Sequence, residues 1–176
     1  MKTLIPFAIA YPNLASAAPL SFDCDVPPNH YSSVSQDVNG QMAISGTVKA
    51  IEMRSGKNLP VAGAGFVSAD GVNGTGFQLV AASARANKFD ILFNTNRGGD
   101  SKRKTVGQIG AREAITFSLS VSELGKVTLI IEGTSFNADF VPMSSGNEMV
   151  FCSTGQFKFS NLTFGVVGEP ASPKTQ

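Results

Sequence analysis

Residues 152–164, near the C-terminus, read CSTGQFKFSNLTF and give the clearest indication of the fold. Apolar and polar side chains alternate from Phe157 onward, which is the period of two expected for a half-buried β-strand. The alternation resumes at Leu162 with the opposite parity. One extra residue at Ser160–Asn161, a β-bulge, would turn the apolar side chains on both sides of it toward one core. The stretch therefore predicts a closing strand that contains a bulge.

The two cysteines of the chain bracket the predicted domain. Cys152 opens the quoted stretch, and Cys24 lies near the other end of the chain. Neither has the CxxC spacing or the neighbouring histidines of a metal or redox site. In an oxidising compartment two cysteines indicate one disulfide, and Cys24–Cys152 would fasten the closing strand to the start of the domain. Two separate buried thiols are the alternative for a protein that is not exported.

Residues 1–17 have the pattern of an export signal. A positively charged start precedes the apolar run at 4–10, and Ala15-Ser16-Ala17 provides an A-x-A cleavage sequence. The run is too short to span a bilayer, and no later run is long enough for a transmembrane helix. The sequence thus predicts a secreted or periplasmic domain over 18–167, followed by a disordered tail at 168–176. A buried N-terminal strand is the competing interpretation of the apolar run.

The composition favours an all-β protein. The chain has 176 residues, 18 glycines and no tryptophan, which suits one domain with a substantial core. A net charge of +1 with 15% charged residues gives no indication of the strongly basic surface of a nucleic-acid-binding domain, so no nucleic-acid partner is expected. Turn residues separate several short alternating segments, as in a sandwich or barrel.

The clearest of these segments form a hairpin, in which 114–122 and 127–132 flank a short loop containing Gly125. The stretches 19–35 and 137–147 are expected to be irregular. The predicted core consists of the apolar parity of the strand-like segments: Phe77, Leu79, Phe89, Ile91, Phe93, Ile115, Phe117, Leu119, Val127, Leu129, Ile131, Phe157, Phe159, Leu162 and Phe164.

The order of these segments resembles the concanavalin A-like (laminin G-like) jelly rolls over roughly residues 22–167. The resemblance rests on FQLVA at 77–81 followed by FDILF at 89–93, on the hairpin, and above all on the ending GQFKFSNLTF at 155–164. Such domains commonly end in a G-x-(apolar)-x-(apolar)-x-N-(apolar)-x-(apolar) strand beside the first strand. The resemblance implies an antiparallel two-sheet β-sandwich of jelly-roll type and explains how the two cysteines meet. Other Greek-key sandwiches are the alternative.

No catalytic motif is recognisable. The glucanase branch of that family carries a Glu-x-Asp-x-x-Glu strand that sets two carboxylates on one face, and this chain has no match. His30 is the single histidine and lies in a proline-rich loop without a flanking motif. The glycines punctuate strands and open no phosphate-binding helix. The sequence therefore predicts a protein that is not an enzyme.

The loop at 94–107 carries two candidate sites. Asn94, Asn96 and Asp100 are oxygen ligands that could hold calcium, although Arg97 interrupts them and a plain turn is the competing interpretation. No other cofactor is indicated. Basic side chains in this loop and shortly after it form a candidate anion site for an acidic polysaccharide or a membrane surface, with a solvated loop as the alternative: Arg97, Lys102, Arg103, Lys104 and Arg112.

Two classes of function fit these observations. The first expectation, from the analogy of fold, is a non-catalytic module that binds an acidic or neutral polysaccharide outside the cell or in its envelope. A structural or protein–protein interaction domain without a small-ligand site is the alternative. Tryptophan is absent and the phenylalanines mostly fall on the inward parity, so a glycan site is expected to consist of polar loop residues.

Overall fold

The computed structural model describes residues 19–165, and the regular structure in this range consists of β-strands. The predicted signal peptide at 1–17 and the predicted tail at 168–176 lie outside the described residues. Between residues 19 and 165 there is no helix long and apolar enough to cross a membrane. The strands are β1 (Leu20–Asn39), β2 (Ala43–Met53), β3 (Val61–Ser68), β4 (Gly74–Ala81), β5 (Lys88–Arg97), β6 (Asp100–Gly110), β7 (Ile115–Val121), β8 (Lys126–Ile131), β9 (Thr134–Asp139) and β10 (Ser145–Phe164).

The ten strands of residues 19–165 form one continuous antiparallel ladder, and β1 and β10 are long enough to take part in both halves of it, which we treat as two sheets. The first half of β10, residues 146–153, pairs with β3, and the second half, residues 155–164, pairs with β2. Strand β1 pairs with β10 along both halves. We call the order β6-β5-β4-β3-β10-β1 sheet I and the order β9-β8-β7-β2-β10-β1 sheet II. The core lies between these sheets.

The predicted bulge is present in β10. The register against β2 shifts between Ser160 and Thr163, and Asn161 has a φ of 53°. Asparagine tolerates this left-handed conformation better than most residues because its short side chain can hydrogen-bond locally. The apolar side chains on both sides of the bulge therefore face the core: Phe157, Phe159, Leu162 and, half-buried at the strand end, Phe164.

The predicted disulfide Cys24–Cys152 is also present, close to the point where β10 passes from one sheet to the other. Both cysteines are fully buried, and their Cα atoms are 6.1 Å apart. Their sequence separation is 128 residues. Closing so long a loop restricts the unfolded chain and stabilises the fold by up to about 5 kcal/mol.

The core agrees with the predicted core residues, of which Phe164 alone is half-buried rather than buried. Side chains from the inner faces of the two sheets pack against each other in the core. The ring centroids of Phe77 in sheet I and Phe117 in sheet II are 5.2 Å apart. Because burial of one phenylalanine contributes about 1.5–3 kcal/mol, such pairs account for much of the stability of the sandwich.

The stretch 19–35 was expected to be irregular, and this expectation is wrong, since β1 covers nearly all of it. Pro27 and Pro28 suggested a loop. They lie where the register of β1 against β10 shifts, between Val26 and Tyr31. Strand β1 is the outermost strand of both sheets, so the missing proline N–H groups interrupt no central ladder.

Two further expectations of irregular structure are wrong in part. Strand β9 and the start of β10 occupy 137–139 and 145–147, while 140–144 connects them without regular structure. Strand β6 and the end of β5 occupy most of the predicted loop at 94–107. Strands β6 and β9 are the outer strands of their sheets, and most of their side chains are polar. The apolar alternation that marks an inner strand is therefore weak in both.

Candidate functional site

The outer face of sheet I carries a groove whose floor is glycine backbone. Gly63 and Gly65 of β3 lie beside Gly74 and Gly76 of β4, and Gly65 pairs directly with Gly76. A Cβ atom added at Gly76 would lie 2.6 Å from the carbonyl oxygen of Ala64. Glycine alone lets the two backbones approach so closely, and the middle of this face consequently bears no side chains.

One wall of the groove consists of β10 and the edge strand β1. Met149 and Phe151 lie opposite Gly65 and Gly63 in the ladder. The Phe151 ring leans over the floor, because a Cβ atom at Gly63 would lie 2.8 Å from its Cζ. Tyr31 is 58% exposed, and its ring centroid is 5.7 Å from that of Phe151. This aromatic wall is therefore open to solvent at its tyrosine.

The opposite wall, on β4, β5 and β6, is polar. It is lined by Gln78, Asn94, Asn96 and Ser101, and the groove between the walls has a volume of about 220 Å³. The Nε of Arg103 donates a hydrogen bond of 3.0 Å to Oδ1 of Asn94. The buried Oδ1 of Asn96 has no hydrogen-bond donor among the residues that the structure describes. This polar wall, called the amide wall below, thus contains one acceptor that is already hydrogen-bonded, on Asn94, and one that is unsatisfied, on Asn96.

The two walls offer different contacts. Aromatic rings pack against the apolar face of a flat molecule, whereas amide and guanidinium groups hydrogen-bond to hydroxyls or carboxylates. Two acidic residues lie on this face by strand alternation, Asp37 on β1 and Asp90 on β5. Four strand spacings, about 19 Å in total, separate their strands, and the two residues are also offset along the strand direction. Paired glycosidase carboxylates are about 5–9.5 Å apart, so these two do not form such a pair.

The structure separates the predicted basic cluster. Lys102, Arg103 and Lys104 lie on the exposed edge strand β6 rather than in a loop, so the predicted loop is wrong. By strand alternation Arg103 lies on the groove face of β6, where it bonds to Asn94, and the two lysines lie on the opposite face. Arg103 also borders the cleft at the edge of the sandwich that the two lysines line. Arg97 lies over the ring of Phe140, 5.8 Å from its centroid. Arg112 follows β6 and lines a different depression. Arg97, Lys102 and Lys104 thus share one face of the β5–β6 ladder, and the structure does not gather all five residues at one place.

The predicted calcium ligands are not gathered on one face. Asn94 and Asn96 belong to the groove, while Asp100 pairs with Arg97 and so lies on the other face of the β5–β6 ladder. Oδ1 of Asn94 is already bonded to Arg103. Within residues 19–165, no group of three or more His, Cys, Asp and Glu side chains is placed to hold a metal ion. Calcium binding stays a prediction, and these contacts do not favour it.

Reasoning from the sequence missed the aromatic wall and expected polar loop residues instead. The signal that could have revealed it is the alternation in EMVFC, residues 148–152. Val150 and Cys152 face inward, which leaves Met149 and Phe151 on the outward parity. The pattern was hidden because Glu148, a charged residue, occupies an inward position.

The chain is similar in fold to several solved structures, although no protein-family model and no curated protein sequence matches it. The carbohydrate-binding module CBM66 from Bacillus subtilis is 11% identical with a TM-score of 0.53, covering 84% of this chain and 92% of that one. The polysaccharide lyase family 18 protein aly-SJ02 is 12% identical with a TM-score of 0.56, covering 86% and 89%. The β-glucanase of Bacillus licheniformis is 12% identical with a TM-score of 0.52, covering 88% and 95%.

These similarities establish the architecture. The fold is a concanavalin A-like jelly roll, an antiparallel β-sandwich, as the sequence predicts. The similar structures include a binding module as well as a lyase and a glucanase. The fold therefore does not by itself distinguish binding from catalysis. That distinction depends on the side chains of the groove.

Proposed function

We propose that the protein is an exported, non-catalytic module that binds a polysaccharide in the groove of sheet I. The observation that carries this proposal is the bare glycine floor between an aromatic wall and an amide wall. The apolar face of a sugar ring would pack against Tyr31 and Phe151, and its hydroxyls would reach Gln78 and Asn94. The groove is smaller than an ordinary drug-binding pocket of roughly 300–1,000 Å³, which suits a short section of a longer chain.

The charges of this face suit a neutral glycan or one with an isolated carboxylate. Arg103 is the cation of the amide wall, and its guanidinium could bind a carboxylate of the ligand while retaining Asn94. Asp37 and Asp90 lie at the two margins and already accept hydrogen bonds from Asn147 and Gln108, of 3.1 and 2.7 Å. A strongly acidic polymer would find little further positive charge in the groove.

Three observations support the remaining parts of the proposal. The wide separation of the two carboxylates supports binding without hydrolysis. The disulfide Cys24–Cys152 supports an oxidising compartment outside the cytosol. Two of the similar structures are described as carbohydrate-binding modules, CBM66 and the CBM2 module of a phage J-1 Dit protein.

A glycan array on the mature protein, followed by titration of any retained glycan, tests the proposal. Tyr31→Ala and Asn94→Ala should each weaken binding by about tenfold, because each removes a principal contact of one wall. Leu124→Ala is the matched control, since Leu124 is 93% exposed on the β7–β8 turn and far from the groove. Equal affinities for all variants would refute the groove, and release of new reducing ends would refute the non-catalytic assignment.

A further inference from the structure

A second cleft opens at the side of the sandwich, where the free edges of the two sheets approach each other. Its walls are β6 of sheet I and β9 of sheet II, and its volume is about 370 Å³. The lining is apolar in its deeper part, where the buried Phe93 is joined by three half-buried side chains, Val106, Phe136 and Ala138. Apolar surface left half-open between two sheets is unfavourable in water, so a bound molecule that covers it would be stabilised.

Contacts between the two edges limit the opening on both sides. Toward one end, Phe136 of β9 approaches β6, since a Cβ atom at Gly107 would lie 3.9 Å from its Cζ. Toward the other end, Arg97 at the end of β5 lies over the ring of Phe140, which follows β9. The cleft is therefore a bounded slot rather than a continuous gap along the sandwich.

The mouth of the slot is cationic. Lys102 and Lys104 lie on the same face of β6 as the slot, and its polar lining is completed by Thr95, Arg103 and Asn137. Lys102 has one acidic neighbour, Asp100, at 3.5 Å, and both side chains are largely exposed. Lys104 has no carboxylate within 4.0 Å in the part of the chain that the structure describes. Positive charge at the mouth is therefore only partly neutralised.

We propose that this slot binds an anionic acyl chain, a fatty-acid-like carboxylate. Its hydrocarbon tail would lie between the sheets against Phe93 and Phe136, and its carboxylate would contact Lys102 and Lys104. An amphipathic anion matches both halves of the site, because the buried and half-buried apolar side chains suit a hydrocarbon tail and the cationic mouth suits a carboxylate. This site is separate from the groove of sheet I, which lies on the other face of β6.

Calorimetric titration with dodecanoate below its micellar concentration tests this site. Saturable binding with one molecule per chain is expected, and methyl dodecanoate, which lacks the charge, should bind more weakly. The double variant Lys102→Ala/Lys104→Ala should lose about fivefold in affinity, as exposed charge pairs contribute modestly. Raising the salt concentration should weaken binding to the wild type more than binding to the double variant, which keeps Arg103 at the cleft.

Two variants make the result decisive. Val106→Asp places a carboxylate inside the slot and should abolish binding, and circular dichroism of this variant and of the lysine variant establishes that each is folded. The control Lys49→Ala/Lys158→Ala removes the same charge from the outer face of sheet II and should bind dodecanoate as the wild type does. Absence of saturable binding, or equal losses in the two lysine double variants, would overturn the proposal.

Discussion

Glu148 carries a carboxylate into the core at the start of β10. Its side chain is fully buried, and its two oxygens accept hydrogen bonds from the backbone N–H groups of Ala43, at 2.6 Å, and Gly165, at 2.8 Å. Burial raises the pKa of this carboxyl to about 7, and the two hydrogen bonds only partly oppose the effect. The side chain of Glu148 thus links the start of β2 to the residue that follows β10. Ionisation of this buried carboxyl is unfavourable.

The free energy of unfolding should therefore fall with rising pH. The unfolded chain titrates near the ordinary value of 4.5, so the contribution of Glu148 is complete below about pH 4.5 and is lost as the pH rises through about 7. The loss is at most about 3 kcal/mol. Denaturant titrations at several pH values between 4.5 and 8 would measure it.

Glu148→Gln should remove this pH dependence, because glutamine does not ionise. Stability at low pH should also drop by about 1–3 kcal/mol, since the amide nitrogen of glutamine cannot accept one of the two backbone hydrogen bonds. Glu123→Gln changes an exposed acid and should keep the wild-type slope. A wild type with flat stability across this range would contradict the account of Glu148.

Strand β10 takes part in both sheets. Its bulge keeps the apolar side chains on both sides of Asn161 directed toward the core. The register shift at Asn161 keeps Leu162 in the core after Phe159, which would be impossible in an uninterrupted strand of period two. The alternation and its change of parity are visible in the sequence, so this element could be predicted together with its irregularity.

Deletion of Asn161 should destabilise the protein strongly. Removing the extra residue turns Leu162 and Phe164 toward solvent, and each buried apolar side chain is worth about 1.5–3 kcal/mol. Asn161→Gly is the matched control, and it should be neutral or slightly stabilising because glycine adopts a positive φ without strain. Denaturant unfolding of the three proteins compares them. A deletion variant as stable as the wild type would show that the bulge does not set the parity of the strand.

The strands that could not be predicted from the sequence lie at the edges of the two sheets. Strands β6 and β9 have one neighbour each, so partner strands rather than their own apolar pattern hold them extended. The basic residues 102–104 were expected in a loop for this reason. Once they are on a strand, alternation sends Arg103 to one face and its two neighbours to the other, which divides a cluster that is contiguous in sequence.

The two candidate sites of the molecule lie on different faces of the sandwich: the groove is on the outer face of sheet I, and the slot lies between the free edges of the two sheets. Sheets I and II share β1 and β10, the disulfide Cys24–Cys152 lies at the crossing, and the outward side chains remain free for binding. The jelly roll and its core could be predicted because both follow from apolar periodicity. The groove could not, because its floor arises from glycines on two neighbouring strands and its wall from a third, a juxtaposition that only the ladder register establishes.

Backbone amide chemical shifts recorded with and without a bound glycan would show whether the groove of sheet I is the binding surface. With the best glycan from the array, the largest changes should fall on both sides of the groove floor, at Gly65, Gly76, Phe151 and Asn94. Ser118 and Thr128, on the outer face of sheet II, should remain unchanged. Changes concentrated on the outer face of sheet II, with the groove amides unaffected at saturation, would contradict the account.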